Sequence, residues 1–375
     1  MGFFGSPPPT IAHGGGLFGA ANVATWFAGG PGVPGNVISV AIIDLAHWVG
    51  LMDTGDVIST ADGGFTWQHF TTPFSGGGSG VAIASNGSSV VAVGSTPAAV
   101  PTLIRSIDTG ATWSDVTPGG ETPASVQFLP QLNAYIALSG PGAATTDVLI
   151  SIDGAIWSSS SIPAAITAFT NAFAEGAGKL LLPLTDTTNG GIMGIALSTD
   201  SGHTWSLQFE GAAESGTAFS VIYNGSVWNV VAQSNVDGKV LNATSPDALN
   251  WTERNRQGNP ALPPYRDVPQ VLLGNSFITA AGFPVEIGAS SDNGLTFSAH
   301  APPNPGGGGL QSMLDFNGTL LLDLSGVISS ADLNNWQTEL TLASGQVNTF
   351  VTALGLTLAG GIDDSGNATL WRRTP

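Results

Sequence analysis

Carboxylates dominate the reactive side chains of this sequence. Twenty-six Asp and Glu face eight Lys and Arg and five His, and there is no Cys. Two carboxylates flanking a sugar bond can hydrolyse it, one as acid and the other as base or nucleophile. The carboxylates outside any repeated pattern that suit such work are Asp44, Asp186, Glu175, Glu286 and Asp315. Each also has a plainer reading as a turn residue or a solvated charge, and sequence alone brings no two of them together. His13, His47, His69, His203 and His300 stand alone, without the H-x-H or H-E-x-x-H spacing of a zinc site. Asp53, Asp56, Asp363 and Asp364 offer oxygens of the kind calcium takes, and a solvated surface accounts for them better. Gly176-Ala-Gly-Lys179 lacks the remainder of a phosphate-binding loop. No metal and no cofactor is expected.

Seven further aspartates recur in one motif. Thr60-Ala-Asp62-Gly-Gly64-Phe-Thr66-Trp67 is the first full copy, followed by Ser106-Ile-Asp108-Thr-Gly110-Ala-Thr112-Trp113. Ser198-Thr-Asp200 to Trp205 and Ser290-Ser-Asp292 to Phe297 match it. Shortened copies are centred on Asp153 with Trp157, Asp247 with Trp251 and Asp332 with Trp336. Successive aspartates lie 46, 45, 47, 47, 45 and 40 residues apart. The residue types suggest structure rather than catalysis. Asp accepts backbone N–H bonds within its own turn. Gly takes the positive φ that such a turn needs. Thr restarts a strand, and Trp packs between neighbouring sheets.

The segments between motifs must position these turns, and they read as strands. Val81 to Val93 and Phe219 to Val231 each hold two apolar runs joined by Asn-Gly, at Asn86-Gly87 and Asn224-Gly225. Asn317-Gly318 repeats the pattern. Asn-Gly between apolar runs is a strong hairpin signal. Two strands here and two flanking the Asp motif make four per repeat, the size of a propeller blade. The expected fold is all-β, a single β-propeller of four-stranded antiparallel blades over residues 21–375. Seven motifs give seven blades at least. The chain then continues with strands at Val347 to Ala353, Leu356 to Gly360 and Ala368 to Trp371, while Ala21 to Phe27 is an orphan strand. Joined, they make an eighth blade that closes the ring, so eight blades are favoured and seven are the alternative. Residues 1–20, rich in Gly and Pro, form an arm ahead of the ring.

The motifs resemble the Asp-box, or BNR, repeat of sialidases, family 74 xyloglucanases, sortilin-type receptors and photosystem assembly factors. The resemblance implies a propeller with the Asp motif at the blade periphery, away from the central binding face. It implies little about activity, because the fold hosts many. Sialidases of the family clamp a carboxylate with three arginines, the first ahead of the first Asp box. Here no Arg precedes Arg105, which weighs against sialidase activity. Glycoside hydrolysis of another kind is the alternative to a purely binding role.

Charge narrows the partners. A net charge of −18 repels phosphate backbones and anionic lipid, and no run of about 18 apolar residues spans a membrane. Neither nucleic acid nor membrane insertion is expected. Half of the six arginines fall in residues 252–270, where Arg254, Arg256 and Arg266 accompany Tyr265 and four prolines. A long loop of that composition suits contact with a partner, although pairing with the acidic surface explains the arginines as well. Asp186 to Asn189 and Asn235 to Asp237 are weaker candidates. A cysteine-free, lysine-poor chain rich in Gly, Ser, Thr and Ala resembles virion proteins. The expectation is a phage tail, spike or fibre component, virion-borne or extracellular. Its arm would dock on other assembly subunits, and its ring would meet a host-surface glycan or protein.

Overall fold

The computed structural model describes residues 25–139, 146–162, 166–167, 173–186, 191–234, 240–255, 270–281, 285–303, 310, 312–324 and 326–373. All regular structure among them is strand. The strands form eight blades in a ring, each antiparallel and four-stranded. The eight-bladed reading therefore holds and the seven-bladed alternative falls.

Blade 1 consists of Val37–Ile42, Trp48–Met52, Val57–Thr60 and Gln68–Phe70. Blade 2 follows with Ser79–Ser85, Val90–Ser95, Pro101–Ser106 and Ser114–Asp115. Blade 3 comprises Gln127–Leu129, Ala134–Ser139, Thr146–Ser151 and Ser158–Ile162. In blade 4 the first strand is split into Ile166–Thr167 and Ala174–Gly176, both paired with Lys179–Asp186. Its third strand is Ile192–Ser198, and its fourth belongs to the long strand Ser206–Tyr223. That strand pairs with blade 4 up to Ser215 and with Trp228–Ser234 from Gly216, so it passes directly into blade 5. Blade 5 ends with Val240–Ser245 and Thr252–Asn255. Blade 6 has Val271–Leu273, Ser276–Ala281, Glu286–Ser290 and Ser298–His300. Blade 7 has Met313–Phe316, Thr319–Asp323, Gly326–Ser330 and Gln337–Thr341.

Blade 8 is assembled from both ends of the described chain. Gln346–Ala353, Leu356–Ile362 and Ala368–Arg373 supply three strands, and Trp26–Gly29 pairs with the last of them as the fourth. The orphan strand thus closes the ring as expected, and what precedes Thr25 lies outside the described residues. Completing the last blade and packing it against both neighbours leaves the ring with only short sheet edges.

The core is a set of apolar seams between blades. Ile136, Leu138, Val148, Leu182 and Leu184 fill the seam of blades 3 and 4. Ile42, Trp48, Ile58, Leu358 and Leu370 fill that of blades 8 and 1. First strands of neighbouring blades are also linked by side chains. Gln127 exchanges two bonds with the Phe173 main chain, Ser39 Oγ accepts from Ile83 N, and Asn348 donates to Asn36 and to Val37 O. The seam of blades 5 and 6 differs. Among the described residues its apolar part is Val231 with Phe297, and beside them lie the buried amides Asn229, Asn242 and Gln270.

The Asn-Gly hairpins form where expected, between first and second strands. At Asn86-Gly87 the Asn Oδ1 accepts from Ser88 N and Ser89 N at 2.9 and 2.8 Å, and Gly87 takes φ 83°. This is the local side-chain bonding that favours Asn in turns.

Candidate binding faces of the ring

Antiparallel order gives the ring two distinct faces. Hairpins joining first to second strands, and those joining third to fourth, emerge on one side. Loops joining second to third strands, and the connections between blades, emerge on the other. All seven Asp motifs join third to fourth strands, so they share the first face with the Asn-Gly hairpins.

Each motif folds into the same turn. The leading Ser or Thr hydroxyl donates to the Asp Oδ1 at 2.8 to 3.2 Å in all seven. In the four full copies Thr66, Thr112, Thr204 and Thr296 donate a backbone N–H to Oδ1 and a hydroxyl to Oδ2, the latter at 2.5 to 2.6 Å. In two short copies an amide replaces that hydroxyl: Asn250 and Asn335 donate to Oδ2 of Asp247 and Asp332 at 2.7 Å. Asp153 has Ile156 at this place, and accepts only on Oδ1, from Ser151 and the N–H groups of Ala155 and Ile156. The short copies also take the left-handed backbone at a single residue, and two use Ala248 (φ 60°) and Leu333 (φ 63°) rather than Gly.

These bonds favour the ionised carboxylates. The Thr66 hydroxyl and N–H draw Asp62 down to about 2, and Thr204 does the same for Asp200. Backbone and amide bonds from Asn250 and Asn335 pull Asp247 and Asp332 well below the usual carboxylate range. Partial burial opposes the shift at Asp108 and Asp292, but the Thr112 and Thr296 bonds outweigh it. Asp153 is lowered by the N–H groups of Ala155 and Ile156. The motif aromatics each pack on the seam with the preceding blade: Trp67, Trp113, Trp157, Trp205, Trp251, Phe297 and Trp336 all lie beside such clusters. Only Trp205 is fully buried; the other six are half-buried.

The carboxylates singled out for acid–base work are dispersed. Asp44 caps the first hairpin of blade 1, where Ala46 N, His47 N and the His47 ring bond it at 2.7 to 2.9 Å. These bonds overcome slight burial and lower its pKa. Glu175 accepts Gln131 N and Leu132 N at 2.8 and 2.9 Å, joining blade 4 to a hairpin of blade 3. Asp315 accepts Gly318 N at 3.0 Å, and burial raises its pKa. Asp186 is buried at the end of a blade 4 strand, and Glu286 begins a strand in blade 6. The calcium candidates also cap turns: Asp53 accepts Asn36 N, Asp363 accepts Ser365 N and Asn367 N, and Asp364 accepts Ser344 N and Gly345 N. Asp56 bonds Ser75 and His69. Among the described residues no group of three His, Cys, Asp or Glu could hold a metal.

Of the arginine loop, Arg254 ends blade 5, with its Nε donating to Thr244 Oγ1 at 2.7 Å. Arg256, Tyr265 and Arg266 lie outside the described residues, as do residues 187–189 and 235–237 of the weaker candidates and the arm at 1–20. Gln270, just ahead of the first strand of blade 6, bonds the Ser220 main chain and hydroxyl.

Sequence reasoning missed two features. One is a buried ion pair at the ring closure. Arg373 donates to both oxygens of Glu339 at 2.7 and 2.6 Å, and the Trp26 indole donates to the same carboxylate at 2.9 Å. Side-chain exposure is 11% for Arg373 and 2% for Glu339. Burial alone would raise the Glu339 pKa, but bonds from Arg373, Ser329 and Trp26 bring it below its ordinary value. The other is a groove of about 160 Å³ on the Asp-motif face, between the first hairpin of blade 1 and the Asp turn of blade 2. Asp44, His47, Ile43, Ile107 and Thr109 line it.

No family model matches the sequence, and neither does any curated protein. Similarity to solved structures is extensive. YCF48 from Cyanidioschyzon merolae has a TM-score of 0.54 at 14% identity, covering 93% of this chain and 99% of that one. YCF48 bound to D1 peptide has 0.53 at 12% identity, covering 93% and 97%. The Hadza microbial sialidase Hz136 has 0.45 at 14% identity, covering 80% and 74%. The class is thus an eight-bladed β-propeller. At these identities the likeness defines the fold alone.

Proposed function

We propose that the chain is a non-enzymatic binding and structural disc, an Asp-box propeller working in a virion tail, spike or fibre or in another extracellular assembly. One face recognises a host-surface glycan or protein. The observation that carries this reading is the commitment of ten carboxylates to the fold's own turns, with Asp186 and Glu286 standing apart from them. Asp44, Glu175, Asp315 and the seven motif aspartates each hold backbone N–H groups of the fold's own turns. A carboxylate so engaged is kept from serving as acid or base without losing its turn. The composition supports the setting: no Cys, two Lys and an excess of Gly, Ser, Thr and Ala. The fold supports partner binding, since a propeller of like architecture, YCF48, is known bound to a peptide. The test is a glycan array probed with the full chain, with the bound glycans then analysed by mass spectrometry. Capture with every glycan intact supports the reading. Released product overturns it in favour of glycoside hydrolysis on the same scaffold.

A further inference from the structure

Among the described residues, eleven large apolar side chains are exposed. Eight of them sit in the hairpins of the Asp-motif face: Leu45, Phe65, Ile107, Ile152, Ile156, Leu249, Leu295 and Leu354. Single exposed apolar residues are ordinary, so their distribution is what matters. Five fall on three consecutive blades: Leu45 (62% exposed) and Phe65 (86%) on blade 1, Ile107 (70%) on blade 2, Ile152 (73%) and Ile156 (79%) on blade 3. The arc is continuous. Gly63 N bonds Ala46 O, tying the turn of Phe65 to the hairpin of Leu45. Ile107 lines the groove shared with that hairpin. Asn86 Nδ2 reaches Ile152 O at 3.5 Å, and Arg105 Nε donates to Asp153 O at 2.9 Å, tying blade 2 to the turn of blade 3.

Ile156 is the telling residue. Six of the seven motif aspartates receive an Oδ2 bond from Thr or Asn at this place. Blade 3 forgoes that bond and sets an exposed isoleucine there instead. A turn bond exchanged for an exposed apolar side chain is the pattern expected where function competes with folding. Ile107 and Ile152 occupy a second motif position, where the other turns carry Ala, Thr, Pro or Ser.

We propose that this arc over blades 1 to 3 docks a protein segment that interleaves cationic and apolar side chains. The cations follow from charge complementarity. Asp44, Asp62, Asp108 and Asp153, each ionised at neutral pH, outnumber Arg105 and Arg372 among the apolar groups. A second copy of the chain, at −18, is repelled. The site is on the opposite side from the blade connections, so it stands whether or not that side recognises a glycan.

The probe is a synthetic peptide of alternating Lys and Leu, titrated into the full chain by calorimetry. Peptides of Lys with Ser and of Glu with Leu serve as comparisons. The expected result is binding of the Lys–Leu peptide that weakens by about tenfold in Ile152→Ser/Ile156→Asn, and weakens further when salt rises from about 50 to about 500 mM. Ile156→Asn supplies the donor that the other two short turns use, so the melting temperature of that single variant is expected to hold or rise, which separates lost contact from lost folding. Val100→Ser, on the opposite face, is expected to bind like the parent. Equal binding by the Lys–Ser peptide, or unchanged affinity in the double variant, would overturn the proposal. Glycan capture that survives in the double variant leaves the functional reading intact while the docking site fails.

Discussion

Seven blades and the eighth solve one problem in two ways. In blades 1 to 7 a continuous hairpin joins the third strand to the fourth, and an Asp turn holds it. In blade 8 that hairpin is where the ring closes, because Ala368–Arg373 and Trp26–Gly29 come from opposite ends of the described chain. No Asp turn can form across the gap. In five of the seven turns the indole N–H donates to the carbonyl three residues back, at 2.9 to 3.1 Å. The Trp26 indole of blade 8 donates to Glu339 of blade 7. Arg373 completes the pair and stacks 5.3 Å from the Phe316 ring, while Arg372 lies 5.9 Å from the Trp48 ring of blade 1. The local carboxylate turn is exposed, built from short-range bonds and repeated. Its substitute is buried, charged and borrowed from the neighbouring blade.

The comparison is put under most strain by acid. Asp62 and Asp200 titrate near 2 in the fold against 3.8 for a free carboxyl. A carboxyl lowered on folding contributes stability that is complete above its unfolded value and is lost as pH falls through the folded one. All seven motif aspartates shift in this direction, so a steep loss of melting temperature is expected between about pH 4 and about pH 2. Circular dichroism melts along that range check it. A melting temperature that stays flat to pH 2 would mean that the turn bonds add nothing beyond what water supplies.

Next in size is the clasp itself. Glu339→Ala leaves a nearly buried guanidinium uncompensated and the Trp26 indole without its acceptor. Removing one partner of such a pair costs about 3–5 kcal/mol, read as a fall in denaturation midpoint. Asp108→Asn in a repeated turn is expected to cost less, because water reaches the groups it strands. Equal losses would erase the distinction between the two modes of closure. Within the repeated turns, Trp205→Ala is expected to cost about 3–5 kcal/mol, as large buried aromatics do. Half-buried Trp113→Ala should cost visibly less. A Trp113 variant as unstable as the Trp205 variant would show that ring contact, not burial, sets the scale.

What could be read in the sequence tracks the range of the interactions. Asp, Gly, Thr and Trp act within a few residues of one another, so their turns and the strands around them were legible, and counting leftover strands gave the eighth blade. Glu339, Arg373 and Trp26 meet only after the ring closes, and no local pattern marks them. Once closure was inferred, the terminal Arg372–Arg373 pair beside Trp26 was a usable hint. Ile156 carried a signal of its own, an apolar residue where the motif calls for Thr or Asn. The polar seam of blades 5 and 6 was hidden because Asn229 and Asn242 sit within apolar strands, and alternation tells which side faces a neighbour but not what that neighbour offers.

The smallest expected effect asks whether the repeated turns are each at their optimum. The full turns carry two consecutive left-handed residues, and the first is Gly63 in blade 1 but Thr109 in blade 2, at φ 61°. A left-handed backbone costs a residue with a Cβ about 1–2 kcal/mol relative to glycine, and branching at Cβ does not ease it. Glycine also loses more freedom on folding, which offsets roughly 0.5–1 kcal/mol. Thr109→Gly should therefore stabilise the fold by at most about 1.5 kcal/mol, a rise of a degree or two in a chain of this length. Thr109 lines the groove beside Ile107, so the same variant probes the docking arc at no cost to the turn. A lowered melting temperature would show that the Thr109 side chain makes a contact worth more than its backbone strain, and blade 2 would then differ from blade 1 for a reason of packing rather than chance.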